Sequence, residues 1–497
     1  MKKTLLYCLS VFCISSVLHA QTTWGDEINI NLNTGANPYV IASGLLNTGD
    51  TDVDIVIGTF TGGTIEWYRN ELNEIAMFEQ QTNIATSFGS VGGVHIADLD
   101  PINGNGNDVI ATSYTGDKVV WFQNDGSANG GFGAEQEISN MGDVDGAGQV
   151  TTADVNNDGH LDVVLVVYGN DGSTDRVVWY AGNSDGTFAS EASIYDSVNM
   201  VPAANNGPGN VSLKDIDEDG DLDALIGSTD SGNIEILYNQ YVESGNTAVS
   251  WVHNATNDVV DSGNTYLFVA AFADYDNDFM DDMMNNNEWE IIKTDIDNVG
   301  TDNVAWYKKN GGTGMWDENF ITISMDYPGI IGAPDLNQDG YPDIVVTNGA
   351  TVGDDVVWFE SDGAGGFLPE AMISDLQNQV FGMTFADFDN DGDVDLATVD
   401  YQNNDLNWFP SYFTGETLGI TTSNVESVRI FPNPTTNELN FRGINENFAV
   451  SVYDILGKEV LKANLENDQA LNVSQLNNGV YILKISDQNK IFKFVKE

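Results

Sequence analysis

The chain has little that could cross-link it. Its 497 residues include two cysteines, Cys8 and Cys13, and both lie in an apolar stretch at the N-terminus. A disulfide therefore cannot stabilise the rest of the chain, and a loop-rich extracellular fold would need another kind of cross-link. Only four histidines are present, and no cysteine–histidine cluster occurs, which argues against zinc or copper sites.

Basic residues are also scarce. The chain has 17 lysines and arginines against 76 aspartates and glutamates, a net charge of −59. Residues 21–426 hold 68 of the acidic and 7 of the basic residues, whereas residues 427–497 hold 8 of each. The first of these segments will not bind nucleic acid or an anionic membrane by itself. High charge often indicates disorder, but ten tryptophans and 51 glycines favour an ordered β fold with tight turns.

Long apolar runs are absent except at the N-terminus. A basic start at residues 1–3 precedes an apolar run over residues 5–18 and the small residue Ala20. This pattern is typical of a secretory signal peptide, which we place at residues 1–20. The alternative is a membrane anchor, but the run is short for one. We therefore expect no transmembrane segment in the mature chain.

An acidic loop recurs along the chain. Its best-preserved copy, at residues 387–395, reads D-F-D-N-D-G-D-V-D. A longer copy covers residues 98–108, and an eroded copy covers residues 47–54. From Asp98 onward, consecutive copies begin 52 to 61 residues apart, which is a repeat period. The regular copies occupy residues 154–162, 215–223, 274–282, 335–343 and 387–395.

Short strands surround each loop. An apolar strand follows the loop directly, and an aromatic strand such as Val177–Tyr180 comes about fifteen residues later. Seven such units without helical periodicity predict an all-β fold, a seven-bladed β-propeller with one unit per blade. A β-solenoid is the competing architecture, but its repeats are usually shorter. One tryptophan recurs at an equivalent position in five units, and we expect it to be core: Trp121, Trp179, Trp306, Trp358 and Trp408.

The two ends of the repeat series complement each other. The last unit stops after Trp408-Phe409 and lacks an outer strand, whereas Trp24–Leu32 precedes the first unit and resembles one. We predict that Trp24–Leu32 supplies the outer strand of the last blade, which would close the ring without a disulfide.

The loops have the composition of a cation site. Oxygen-bearing side chains occupy positions 1, 3, 5 and 9, and glycine usually occupies position 6, where positive φ bends the chain. Hard cations such as Ca²⁺ take about six to eight oxygen ligands, and the variable position 7 suits a backbone carbonyl. The alternative is that Asp, Asn and Gly only make good turns. Recurrence of the pattern favours calcium, at about five to six sites.

The predicted ligands follow from these positions. In the regular loops they are Asp154, Asn156, Asp158, Asp162, Asp215, Asp217, Asp219, Asp223, Asp274, Asp276, Asp278, Asp282, Asp335, Asn337, Asp339, Asp343, Asp387, Asp389, Asp391 and Asp395. In the longer copy they are Asp98 and Asp100, completed by Asn103, Asn105 or Asp108. Phe279 replaces the glycine in the 274–282 copy, and we expect the 47–54 copy to be metal-free because it lacks the leading aspartate.

Loop spacing and the D-x-D-x-D-G-x-x-D motif closely resemble FG-GAP/VCBS repeats, which are known from integrin α-subunit propellers and from secreted bacterial proteins. The resemblance covers residues 40–413, and we assign residues 21–413 to the propeller. It implies structural, non-catalytic Ca²⁺ sites at the outer edge of the blades. It does not imply one ligand, because one fold hosts many functions.

The C-terminal segment has a different composition. Residues 414–427 have the polar composition of a linker, and residues 428–497 alternate short strands with Pro or Gly turns, which predicts a small Ig-like β-sandwich. This segment resembles the type A C-terminal sorting domain of type IX secretion. The matching residues are Pro432-Asn433-Pro434, Tyr453-Asp454, Gly457-Lys458, Gly479-Val480-Tyr481, Lys490 and Lys493.

The sorting resemblance implies export from a Gram-negative cell, to the medium or the outer cell surface, with the secretion machinery as a partner of residues 428–497. We predict a monomeric, calcium-stabilised binding or adhesion module for a glycan or surface protein. The alternative is a polysaccharide lyase or glycoside hydrolase, with His95, His160 or His253 as acid–base candidates. No nucleophile motif accompanies these histidines, so the binding module is favoured.

Overall fold

A computed structural model describes the chain as β-structure. In the part that it describes there is no helix, and hence none long and apolar enough to cross a membrane. The predicted signal peptide and the 274–282 loop lie outside this part. The described residues are 21–47, 51–71, 78–127, 130–139, 144–169, 175–196, 207–229, 231–253, 258–262, 267–273, 290–295, 303–310, 315–322, 327–349, 356–363, 366–414, 429–431, 435–442, 448–454, 458–465, 469–485 and 490–496.

The chain divides into two compact units, Met1–Gly415 and Glu416–Glu497. The finer boundaries predicted above, with a linker at 414–427, remain predictions. The strands of the first unit are β1 (Gln21–Trp24), β2 (Ile28–Asn31), β3 (Pro38–Gly44), β4 (Asp54–Thr59), β5 (Thr64–Asn70), β6 (Phe78–Gln80), β7 (Ala85–Thr86), β8 (Val91–Ala97), β9 (Asp108–Ser113), β10 (Lys118–Asn124), β11 (Phe132–Ser139), β12 (Ala147–Ala153), β13 (Asp162–Val167), β14 (Arg176–Tyr180), β15 (Ala192–Asp196), β16 (Pro208–Lys214), β17 (Asp223–Ser228), β18 (Ile234–Asn239), β19 (Trp251–Val252), β20 (Val259–Asp261), β21 (Leu267–Ala273), β22 (Glu290–Asp295), β23 (Asn303–Lys309), β24 (Trp316–Thr322), β25 (Pro328–Gly332), β26 (Ile344–Asn348), β27 (Val356–Phe359), β28 (Ala371–Ser374), β29 (Val380–Ala386), β30 (Asp395–Asp400), β31 (Asp405–Phe409) and β32 (Ser411–Thr414).

Most of these strands form antiparallel sheets of four or five strands, which we call blades. Within a blade the first three strands pair in chain order, as in a meander; in blades 1 and 4 both later strands pair with the third, and in blade 7 the outer strand is β2. The described residues contain seven blades: blade 1 (β3–β7), blade 2 (β8–β11), blade 3 (β12–β15), blade 4 (β16–β20), blade 5 (β21–β24), blade 6 (β25–β28) and blade 7 (β29–β31 with β2).

The blades form a closed ring. The first strand of each blade contacts the first strand of the next, and β29 of blade 7 contacts β3 of blade 1. An apolar cluster lies between each pair of neighbouring blades; the one at the closure joins Ile55 and Tyr68 of blade 1 to Phe388 and Trp408 of blade 7. The prediction of an all-β propeller is confirmed.

The N-terminal strands complete blade 7. Strand β2 is its outer strand, with Ile28 opposite Trp408 and Asn29 opposite Asn407. Next to it, β1 pairs with β32 along its whole length. The predicted closure by the Trp24–Leu32 segment is therefore confirmed, and residues from both ends of the repeat series share one sheet.

Inner and outer strands differ in their sequence pattern because their surroundings differ. Strand β13 (D-V-V-L-V-V) is buried along its whole length between blades, which explains its unbroken apolar run. Strand β11 (F-G-A-E-Q-E-I-S) lies outermost and is mostly exposed. The recurring tryptophans are core, as predicted, since all are less than 9% exposed: Trp121, Trp179, Trp306, Trp358 and Trp408.

The second unit is a small two-sheet sandwich. One sheet has the order β33-β34-β37 and the other β36-β35-β38-β39, and both contribute to one core that includes Leu439, Val450, Leu483 and Phe494. The predicted β-sandwich is confirmed. Its strands are β33 (Arg429–Phe431), β34 (Glu438–Arg442), β35 (Phe448–Asp454), β36 (Glu459–Leu465), β37 (Leu471–Asn472), β38 (Gly479–Ile485) and β39 (Lys490–Lys496).

Candidate metal centres

All acidic loops that the structure describes lie on one face of the ring. In blade 2 the 98–108 loop runs from the end of β8 to the start of β9, and each of the other loops likewise joins the first strand of its blade to the second. Because the first strands contact one another around the axis, the ends at which the loops lie share one face. We call this the loop face.

Two left-handed residues bend each of the four regular loops that the structure describes. Glycine at position 6 has positive φ as predicted, with values from 86° to 101° for Gly159, Gly220, Gly340 and Gly392. Position 4 has positive φ too, which the sequence reading missed, with values from 51° to 59° for Asn157, Glu218, Gln338 and Asn390. Asn is enriched among non-glycine residues with this conformation, so the signal was present but weak.

The position 1 aspartate holds the bend. In the 154–162 loop, Asp154 Oδ1 accepts from the backbone N–H of Asp158 at 2.9 Å, and Oδ2 accepts from that of Gly159 at 2.8 Å. Asp335 and Asp387 accept the equivalent pairs of hydrogen bonds. The loop backbone thus curls around the position 1 carboxylate, which brings positions 1, 3 and 5 to one side.

The position 9 aspartate ties the loop to its own blade. Asp395 is fully buried; its Oδ2 accepts from Phe388 N at 3.0 Å and its Oδ1 from Ser411 N at 2.7 Å. Position 9 aspartates in the other described loops accept the same two bonds, one from loop position 2 and one from a residue that ends the third strand or lies two residues beyond it: Asp108, Asp162, Asp223 and Asp343. Even the eroded copy keeps the second bond, from Asn70 N to Asp54 at 2.8 Å.

Burial makes these carboxylates hard to ionise. It outweighs the two backbone donors and raises the pKa of Asp395 to about 7. The pKa of Asp162 rises to about 6 for the same reason, and the pKa values of three others rise to about 7: Asp108, Asp223 and Asp343. Burial and then the neighbouring Asp391 carboxylate raise the pKa of Asp389 to about 6.

Carboxylates converge in three of the described loops. Each triad has one oxygen per residue, and these oxygens lie within 4.8 Å of one another. Clustered carboxylates oppose each other's ionisation, and a bound cation would offset that repulsion. The triads are Asp98–Asp100–Asp108, Asp215–Asp217–Asp223 and Asp387–Asp389–Asp395.

Buried oxygens without hydrogen-bond partners support the fit to a cation. Asp100 is fully buried, yet its Oδ1 accepts no hydrogen bond from any described residue, and the same holds for the buried Oδ1 atoms of Asp98 and Asp215. A buried carboxylate oxygen needs a donor or a cation. The donor set consists of oxygen only, which suits Ca²⁺ and not a soft metal.

The 98–108 loop accommodates its two extra residues. Asn103 donates from Nδ2 to Asp100 Oδ2 at 2.7 Å, and Gln123 of β10 donates to the same oxygen. Of the three residues predicted as alternatives, Asp108 is the one whose carboxylate lies close to those of Asp98 and Asp100. Asn103 instead orients Asp100 through its amide N–H, and Asn105 lies against Gly126.

Glu243 extends the 215–223 site, and sequence reasoning missed it. Its carboxylate lies within 4.8 Å of those of Asp217 and Asp219 and comes from the turn after β18. Asp221 is 1% exposed, and its Oδ2 accepts from Val242 N at 2.9 Å, which ties this turn to the loop. The only sequence signal was an acidic residue in the turn that follows a third strand.

Asparagine replaces aspartate at position 3 of two loops. Asn156 Oδ1 accepts from Asp158 N at 3.0 Å while its Nδ2 donates to Asp158 Oδ2, also at 3.0 Å. Asn337 makes the same pair of contacts with Asp339. These loops therefore hold positions 1, 3 and 5 in the same arrangement with one negative charge fewer.

Neighbouring loops are bonded to each other. Asn157 Nδ2 donates to Gly220 O at 2.7 Å, Gln338 Nε2 donates to Gly392 O at 2.8 Å, and Asn390 Nδ2 donates to Asp52 Oδ1 at 3.1 Å. All three donors are the left-handed position 4 residues. The left-handed backbone at position 4 thus directs the side chain of that residue toward the loop of the next blade.

The candidate acid–base histidines lie apart. His95 is on β8, where its Nε2 lies 3.1 Å from Thr152 Oγ1 of blade 3, and burial lowers its pKa. His160 is in the 154–162 loop, and His253 lies after β19, with Nε2 3.9 Å from Glu235 Oε1. The structure does not bring these three residues together.

Comparison with family models matches both parts of the chain. Residues 102–165 and 335–398 match the FG-GAP-like repeat, and residues 429–497 match the secretion system C-terminal sorting domain. Both matches to the repeat end just beyond an acidic loop, within the strand that follows it. The sorting domain indicates type IX secretion to the cell surface or exterior.

Solved structures with a similar fold are distant in sequence. A lectin from Agrocybe aegerita that recognises non-reducing terminal N-acetylglucosamine is 18% identical, with 76% of this chain and 86% of the lectin covered and a TM-score of 0.43. PorZ, a surface component of the type IX secretion system of Porphyromonas gingivalis, is 12% identical, with 91% of this chain and 59% of PorZ covered and a TM-score of 0.41. A search of curated proteins found no match.

Proposed function

We propose that this chain, an FG-GAP-like repeat propeller with a type IX sorting domain, is a calcium-stabilised, non-catalytic binding module for a glycan or surface protein outside the cell. Cations in the acidic loops would stabilise each blade and its contact with the next. Sorting residues 429–497 would bring the propeller to the secretion machinery. The aspartates and asparagines predicted from the loop pattern are the proposed ligands, with Glu243 added.

One observation carries the proposal. In the 98–108 loop, three carboxylates converge within 4.8 Å, and the buried Oδ1 atoms of Asp98 and Asp100 accept no hydrogen bond from a described residue. Like charges at this distance destabilise the loop unless a cation or protons compensate. Extracellular Ca²⁺ is the hard cation that fits an all-oxygen set. Without cysteines in the mature chain, cations would be its cross-links.

The separation of the candidate histidines and the closed ring both support a binding role over a catalytic one. The three candidate histidines lie in different blades, and no described pair of them forms an acid–base arrangement. A closed ring of blades instead offers a preformed surface for recognition. The large negative charge favours solubility and opposes contact with anionic surfaces.

Calorimetric titration of the mature chain with Ca²⁺ tests the metal part. We expect saturable binding at several sites, with one site lost in Asp100→Asn and none lost in Asp185→Asn, an exposed aspartate in the turn before β15. Heat of dilution alone would refute the calcium sites. Immobilised glycans and surface proteins, probed with the calcium-loaded chain, test the binding part, and the absence of any ligand on either array would refute it.

A further inference from the structure

A cavity of about 680 Å³ lies on the axis of the ring. First strands of all seven blades line it, from β3 to β29. The lining includes the starts of these strands and residues just after the second strands, such as Phe60 and Tyr114. The acidic loops lie at the other ends of the same strands, so the cavity opens on the face opposite the loop face. We call its opening the aromatic mouth.

The cavity lining carries no charged side chain among the described residues. This is unexpected in a chain with 76 acidic residues. Two of the polar lining side chains brace the wall. The side-chain amide of Asn210 donates to Ala270 O and accepts from Ala270 N. The side-chain amide of Gln149 makes the same pair of bonds with the backbone of Val211. The described cavity wall is therefore neutral, while at the mouth burial and then the Asp145 and Asp175 carboxylates raise the pKa of Tyr114.

A row of half-buried rings forms part of the mouth, and we call it the aromatic arc. Ring centroids are 5.3 Å apart for Tyr401–Phe381, 5.6 Å for Phe381–Tyr39, 5.3 Å for Tyr39–Phe60 and 6.0 Å for Phe60–Tyr114. The arc spans blades 7, 1 and 2. Its rings are tilted or edge-on to one another, and four of the five line the cavity.

Two arc residues occupy β-bulges. In every blade, the pairing register between the first and second strands shifts near the second residue of the first strand. This residue is Tyr39 in blade 1 and Phe381 in blade 7. Bulges redirect a side chain out of the regular pleat. Blades 2 and 4 form the same bulge with Gly92 and Gly209, and in blade 6 the register shift spans Gly329 and Ile330.

The other arc rings follow the same logic. Phe60, Tyr114 and Tyr401 each follow the second strand of their blade, as Tyr168 does in blade 3, whereas blade 4 has Thr229 and blade 6 has Gly349 there. The fold therefore forms without a ring at either position. Large rings at sites that the architecture fills equally well with glycine or threonine point to recognition and not to packing.

We propose that the aromatic arc binds a neutral oligosaccharide in the axial cavity; this deepens the proposed binding function and rests on it. Sugar rings present C–H faces that stack on aromatic rings, while tyrosine combines an apolar face with a polar edge. A row of rings engages several sugar units at once. The uncharged lining offers no counter-charge to a uronate or sulfate, and the acidic chain repels such polymers.

Isothermal titration of the calcium-loaded mature chain tests this assignment. The probes are cellohexaose, maltohexaose, mannohexaose and chitohexaose as neutral ligands, and oligogalacturonate as the acidic one. The double variant Tyr39→Gly/Phe381→Gly introduces the residue that other blades carry at the same bulge. Phe60→Thr is the milder variant should the double variant fail to fold. Phe320→Thr, an exposed ring on the outer strand β24, is the matched control.

We expect at least one neutral hexasaccharide to bind, with affinity reduced about tenfold or more in the double variant and by less in Phe60→Thr. Phe320→Thr should change the affinity by less than about twofold. Binding that is equal in all variants would overturn the arc as the site but leave a glycan-binding function standing. Preference for oligogalacturonate, or no saccharide binding, would overturn the neutral-sugar assignment. The proposed binding function itself would be overturned only if no surface protein bound the chain either.

Discussion

Both faces of the ring are built from the same repeat, but they differ in how far their residue types recur from blade to blade. On the loop face, the position 9 aspartate recurs in every described loop and in each accepts a backbone N–H at or just beyond the end of the third strand. At the aromatic mouth, the equivalent positions hold rings in some blades and glycine or threonine in others. Features that recur around the ring stabilise it, whereas features that vary are available for recognition.

This contrast predicts which property a substitution on each face will change. Changes to recurring features should lower the free energy of unfolding in a way that depends on calcium. Changes to the aromatic arc should reduce ligand affinity while the ring remains folded. The following experiments test the first half of that statement, from the largest expected effect to the smallest.

Deletion of residues 21–33 should have the largest effect on stability. It removes β1 and the outer strand of blade 7, and with them the pairing that joins the two ends of the repeat series. We expect the melting temperature to fall by more than about 10 °C, or the cooperative transition to be lost. An unchanged melt, by circular dichroism or calorimetry, would show that β2 does not close the ring.

Asp395→Ala should come next. The substitution leaves the buried N–H groups of Phe388 and Ser411 without an acceptor and removes one ligand of a proposed cation site. We expect a loss of about 2–5 kcal/mol in denaturant unfolding. Glu137→Ala on the exposed strand β11 is the control, expected within about 0.5 kcal/mol of wild type. Equal losses in the two variants would contradict the anchoring role of position 9.

The pH dependence of stability should reverse with calcium. Folding raises the pKa of Asp395, Asp343 and Asp223 to about 7 from an unfolded value of about 3.9. In chelator, their contribution is complete below about pH 4 and is lost as pH rises to about 7, because the folded state binds more protons. In calcium, cations replace those protons, so stability should rise over the same range. Melts at pH 5 and pH 7.5 in both buffers would show the reversal, and parallel trends would refute it.

Gln338→Ala should have the smallest effect. It removes two exposed contacts between loops, those from Gln338 Nε2 to Gly392 O and to Asp393 Oδ1, and leaves the other contacts of the 335–343 loop in place. We expect a loss of about 0.5–1 kcal/mol. Gln136→Ala, exposed on β11, is the matched control. A loss as large as that of Asp395→Ala would mean that contacts between loops, and not anchoring within blades, dominate the stability of this face.

Local pattern was enough to predict the acidic loops and their bend at position 6, but not the face that they share. Period, composition and the position 6 glycine are all local in the sequence, and the ring closure followed from the missing strand at Trp408-Phe409. Sequence reasoning treated position 9 as one metal ligand among four. Its two bonds to backbone N–H groups depend on Ser411 or its equivalents, which only the folded sheet places nearby.

Features that depend on contacts across the ring could not be predicted in this way. Tyr39 and Phe381 are neighbours only because the ring closes, and their bulges reflect strand register, which composition does not reveal. Glu243 reaches Asp217 and Asp219 because Val242 N bonds to the buried Asp221. A comparison of equivalent repeat positions would have shown which blades carry rings, but not that these rings share a cavity.

The central claim is that cations in the recurring loops stabilise the ring. The most direct test is a thermal melt of the mature chain in millimolar Ca²⁺ and in excess EDTA at pH 7.5, with restoration of calcium after chelation. We predict that EDTA lowers the melting temperature by on the order of 10 °C and that added calcium restores it, as ligand linkage at several sites requires. Identical melting curves in the two buffers would contradict the claim.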